Sequence, residues 1–170
     1  MPQMTQRYAP RPASDARPDL RSDMRGDLLW GLPDPETQPS FYAGVPLKRL
    51  LAWLVDFVVV AILTAIVVPF TAFTALFFLP LLYFTLDFVY RWATISGGSA
   101  TLGMRLMGIE LRDRAGQRLD MGLALLHTVG FILTSATMLP QLLSAGMMVV
   151  LPRGQGLTDV VLGTTAINRP

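Results

Sequence analysis

Asp56 stands in an apolar run that carries no other charge from Leu50 to Leu86. A run of 37 residues is nearly twice the roughly 20 that a helix needs to cross a bilayer core, so it reads as a membrane hairpin with a carboxylate inside. At that depth a carboxylate either handles a cation or proton, or fixes helix packing through an ion pair or hydrogen bonds. Arg49 lies seven residues earlier on the same helix face, about 10 Å away along the axis, which is too far for easy direct pairing. It reads as an orientation anchor that snorkels to headgroups. On the second apolar segment, Asp87 and Arg91 form an i,i+4 pair. Arg105, Arg153 and Asp159 can gather at the same mouth if the chain returns there, and Asp159 can also cap the backbone of the Gly-rich tail. The single histidine, His127, reads as an interfacial polar residue, with proton relay as the alternative.

Several chemistries lack the residues they need. There is no nucleophile elbow, no phosphate-cradling glycine loop and no cluster with metal-ligand spacing, so no enzyme activity, catalytic residue, metal or cofactor is expected. The chain has no cysteine, which excludes disulfides and thiolate metal sites. Its formal charge is +2 and its basic residues are dispersed, which gives no footprint for nucleic acid.

Two kinds of segment must position these groups. Of 170 residues, 52% are hydrophobic and 15% charged, too apolar for an ordinary soluble domain. The expected fold is an all-α membrane protein, a transmembrane hairpin followed by a third, Pro-broken apolar segment. Its spans run over about residues 48–68, 72–92 and 121–151. Pro140 makes the third segment either a kinked single span or a broken, re-entrant hairpin, and the choice decides on which side Arg153, Asp159 and Arg169 lie. Residues 1–41 form a Pro/Arg/Asp-rich arm in which Asp15, Arg17, Asp19, Arg21, Asp23, Arg25 and Asp27 alternate in sign. This arm is expected to be disordered, and no secretory signal peptide is recognisable in it. Five arginines between Arg91 and Asp120, against none at the Pro69 turn, place the arm and the loop on the cytoplasmic side. Within that loop, Leu106 to Arg112 alternates as a strand, and the polar turn Asp113 to Gln117 closes it into a short hairpin arm. An amphipathic helix over Thr101 to Leu111 competes with this reading.

Three motifs in order carry a resemblance: Tyr42, Ala43 and Gly44 through Lys48, Arg49 and Leu50 to Asp56; Thr101, Leu102, Gly103, Met104 and Arg105 with Gly108 and Ile109; and Gln155, Gly156, Leu157, Thr158 and Asp159 to Gly163 and Thr164. Residues 42–168 resemble the RDD family of small, mainly bacterial multi-pass membrane proteins, named for one arginine and two aspartates. The resemblance implies that the set is Arg49, Asp56 and Asp159. Thr158 and Met104 stand where relatives often have His and Lys. It further implies a bacterial inner-membrane protein. The function expected is transport of a small hydrophilic solute or cation, with Asp56 as the intramembrane charge site. The bilayer and either further copies of the chain or a larger membrane complex are the expected partners. A non-catalytic scaffold subunit and a membrane-surface stress factor are the alternatives.

Overall fold

Hydrophobic length and two prolines set the first elements of the computed structural model, which describes residues 31–169. Helix α1, Val45–Phe70, starts after Gly44, whose φ of 69° suits a residue without a Cβ, and Pro46 fits the first turn, where no N–H is needed. Its 26 residues rise about 39 Å, enough to cross a bilayer. Ala52, Asp56, Val60, Thr64 and Val68 recur every four residues and form its buried stripe, whereas Leu50, Phe57, Ile62 and Ile66 face outward. After Thr71 the chain turns through Ala72 and Phe73, both at positive φ, and a 3-10 turn, Thr74–Phe78. Helix α2 then runs Leu79–Gly98, later than the expected 72–92. Pro80 is the reason: inside a helix beginning at residue 72 it would break the hydrogen-bond ladder, but in the first turn it costs nothing.

The polar loop contains both of the elements that competed for it. A short helix, α3, spans Leu102–Leu106 and is capped by Thr101, and strand β1 spans Ile109–Arg112 after Gly108 at φ 68°. The expected self-contained hairpin is reduced to a single bridge between Arg112 and Arg118. The main partner of β1 is instead the C-terminal strand β2, Thr165–Asn168, antiparallel with Ile109 opposite Asn168 and Arg112 opposite Thr165. Burial explains the preference, because Ile109 and Leu111 join a buried apolar cluster with Ala166, which lies opposite Leu111, and the polar turn offers no such cover.

The third apolar stretch is a broken hairpin and not a kinked span. Helices α4, Met121–Ser135, and α5, Met138–Val150, meet at a bend of 116°. The break falls before Pro140, which sits in the first turn of α5. At about 22 and 20 Å each helix is short of a full crossing. Helix α6, Leu157–Leu162, and β2 then return to the end of the bundle where α1 begins, and Lys48 Nζ donates to Asn168 Oδ1 at 2.7 Å.

The packed core lies at that end, where Val45, Ala52, Ile95, Met104, Leu111 and Ala124 meet between α1, α2, α3, α4 and the sheet. At the far end, Phe70, Phe77 and Phe78 are exposed on an apolar surface suited to lipid. The last part of the arm expected to be disordered is instead folded against the loop: Gly31 N–H donates to Arg114 C=O at 2.6 Å, Leu32 is buried, and Tyr42 Oη donates to Pro33 C=O at 2.7 Å. The charge-alternating residues 15–27 lie outside the described residues.

Candidate functional site

Two buried carboxylates organise the mouth of the bundle, and each accepts four hydrogen bonds. Asp56, in α1, receives Tyr90 Oη at 2.6 Å and the Gly103 N–H at 2.9 Å on Oδ1, and Thr101 Oγ1 at 2.7 Å and Arg91 Nη1 at 3.4 Å on Oδ2. A carboxylate has about four acceptor positions, so this one is filled by the protein itself. The motif of Thr101, Leu102 and Gly103 explains how. Thr101 caps α3 by accepting from the Met104 N–H while its hydroxyl donates to Asp56, and the Leu102 N–H donates to Tyr90 Oη. Gly103 is required by proximity, since a Cβ there would lie 2.2 Å from Ala52 O and 2.9 Å from Asp56 Oδ1.

Arg91 links this cradle to Asp87. Its Nε donates to both Asp87 oxygens at 2.9 and 3.1 Å, and its guanidinium carbon lies 4.0 Å above the centre of the Phe131 ring on α4. The expected i,i+4 pair is therefore present, and it forms part of a buried group of two acids and one base.

The second carboxylate, Asp159, sits in the first turn of α6. Its Oδ1 accepts from His127 Nε2 and Thr164 Oγ1, each at 3.0 Å, and its Oδ2 accepts from Arg49 Nη1 at 2.5 Å and the Gly156 N–H at 3.0 Å. Burial alone would raise this carboxyl, but the Arg49 charge, the His127 hydrogen bond and the Gly156 N–H together hold it below the ordinary carboxylate range. Because Nε2 faces a carboxylate, His127 is assigned the tautomer with the proton on Nε2, which leaves Nδ1 buried without a partner. His127 is therefore a buried Asp159 ligand, not the interfacial residue expected.

The three residues of the set take different places. Arg49 and Asp159 are paired across 110 positions of sequence, while Arg49 and Asp56 do not touch, as their spacing on α1 requires. All three, with Arg91 and His127, line one cavity of about 600 Å³ between α1, α2, α4, α5 and α6. Arg105 stays outside it, donating to the carbonyls of Ala100 and Thr94 at the end of α2, and Arg153 lies against Tyr42. Tyr90, Thr101, Gly156 and Thr164 were not identified from sequence as ligands of the acids. Among the described residues no group of three metal-ligating side chains occurs.

Each motif thus has a physical task at one mouth. The first supplies Arg49 and Asp56, the second two of the four donors to Asp56, Thr101 and Gly103, and the third Asp159 with two of its own donors, Gly156 and Thr164. No curated protein and no solved structure matches the chain. A family model described as "RDD family" matches residues 43–163, a range that contains Arg49, Asp56 and Asp159 and every donor to the two acids except Thr164. The chain belongs to the RDD family.

Proposed function

We propose that this membrane protein binds a charged solute in the mouth cavity and moves it across a bacterial inner membrane, with the amino terminus on the cytoplasmic side. The observation that carries the reading is the convergence of Arg49, Asp56, Arg91, His127 and Asp159 on one cavity inside a bundle whose outer surface is apolar. Buried charge at such a position is costly and points to function or to binding. The loop arginines lie at this same mouth, in keeping with the charge rule that orients it to the cytoplasm. Two spans and a half-length hairpin enclose little space, so the reading includes self-association or a larger complex.

The acids serve here as scaffold. A cation that coordinated Asp56 or Asp159 would have to displace one of four protein donors, whereas the guanidinium groups of Arg49 and Arg91 retain unused N–H groups. Flux of small cations and anions into proteoliposomes tests the reading. Solute uptake that is lost in Arg49→Ala, at matched insertion, supports it; an absence of flux for every solute tried moves the protein to the scaffold role. That second role has one observation of its own: α5 leaves Leu139, Val149 and Val150 about four-fifths exposed on a helix too short to span, a surface a partner can cover.

A further inference from the structure

We infer that the occupant of the mouth cavity is an anionic phospholipid, with its phosphate at Arg49 and Arg91 and one acyl chain in the gap between α1 and α5. The inference rests on the reading of this cavity as a solute site and names the class of solute.

Hydrogen-bond capacity gives the sign of the ligand. Both carboxylates that line the cavity have all four acceptor positions filled. Among the described residues Arg49 donates only through Nη1 to Asp159, and Arg91 donates through Nε to Asp87 and Nη1 to Asp56. None of their nitrogens is both buried and unpartnered, so the remaining N–H groups are reachable. A guanidinium has five N–H groups in a fork that matches phosphate oxygens. Among the charged groups of the cavity the unused capacity is therefore donor capacity on the two guanidinium groups, which an oxyanion satisfies and a cation does not.

The walls specify the rest of the ligand. Helix α1 packs on α2 and α3, and α5 packs on α4 and α6, which leaves a lateral gap between α1 and α5. Leu47, Leu50 and Val149 line the cavity at this gap and are 62%, 53% and 77% exposed. In a membrane that opening meets acyl chains, and Trp53, Phe131 and Met148 continue the apolar wall inside. Arg49 is about 6 Å from the start of α1, at headgroup depth, so a phosphate reaches it while the acyl chains stay in the bilayer. A volume of about 600 Å³ is in the range of small-molecule sites and takes a headgroup with part of one chain.

Native mass spectrometry of the purified full chain, with phosphatidylglycerol and phosphatidylcholine of identical acyl chains, tests this. The wild type is expected to retain phosphatidylglycerol about tenfold better, because the choline ammonium of phosphatidylcholine neutralises the phosphate charge that the two guanidinium groups hold. Arg49→Ala is expected to bring the ratio close to one. Because Arg49→Ala also removes the partner of Asp159, Ala145→Trp serves as a second variant: residue 145 is exposed, lines the cavity and makes no side-chain hydrogen bond, so a bulky ring there should block the lipid while the fold persists. Equal retention of the two lipids by wild type would overturn the proposal, as would a preference that survives Ala145→Trp. Release of the lipid by excess inorganic phosphate would show a free-anion site, and a lipid-free dimer would show that a second copy fills the gap; either also overturns it. Binding is read here without flux, so failure of transport and failure of lipid recognition are separate results.

Discussion

The cradle of Asp56 and the cradle of Asp159 have the same capacity and different electrostatics. Asp56 is held mainly by neutral donors from α2 and α3, and its one cation, Arg91, is 3.4 Å away and closer to Asp87. Asp159 has a cation of its own, Arg49 at 2.5 Å, together with an imidazole and a backbone N–H. Removing Asp56 leaves Arg91 paired; removing Asp159 leaves Arg49 without its acid. The first cradle fastens a loop to a span by geometry, and the second fastens the C-terminal segment to α1 by charge.

Substitutions should separate the two. Asp159→Ala is expected to cost most, about 3–5 kcal/mol, because it leaves a largely buried guanidinium unpaired. Asp56→Asn is expected to cost about 1–3 kcal/mol, since the amide keeps one acceptor and turns a donor toward Thr101 and Arg91. Equal losses in unfolding of the two variants in detergent would break the comparison. Gly103→Ala should cost a similar 1–3 kcal/mol, roughly, by forcing α3 away from the Ala52 carbonyl, and its effect should shrink when combined with Asp56→Ala. His127→Leu removes one of four donors to Asp159 and also a buried unpartnered nitrogen, so the net loss should be only about 1 kcal/mol in the same assay.

The smallest effect at neutral pH is the pH dependence. The folded Asp159 carboxyl lies below its unfolded value of about 3.9, so its contribution is complete above that pH and is lost as pH falls from there through the lower folded value. The stability gap between wild type and Asp159→Asn should narrow as pH falls below about pH 4. A gap that widened below about pH 4 would assign the wrong partner to this acid.

What was legible in the sequence follows from range. The Leu50 to Leu86 run shows the hairpin because its signal is local, and the seven-residue interval from Arg49 to Asp56 makes a direct pair a stretch, in line with Arg49 pairing to Asp159. Pro80 carried a start signal for α2 that the long apolar run concealed. The pairing of β1 with β2 spans more than fifty residues, and four-residue strands leave no pattern strong enough to show it. The acid cradles were hidden for another reason. Two of the eight donors are backbone N–H groups, which have no sequence signature beyond the glycines that admit them, while the Tyr90 hydroxyl carries no local signal of its partner and His127 reads locally as an interface residue. Their roles depend on α2 and α4 meeting at the mouth.

The central claim is that Arg49 and Asp159 are coupled, which requires the third apolar segment to return to the end where α1 begins. A double-mutant cycle with Arg49→Ala and Asp159→Ala, read by unfolding in detergent, measures that coupling directly. The structure predicts a double variant less destabilised than the sum of the single ones by about 1–3 kcal/mol, since each single substitution leaves a buried charge alone. Additivity within about 0.5 kcal/mol would contradict the pairing, and with it the common mouth.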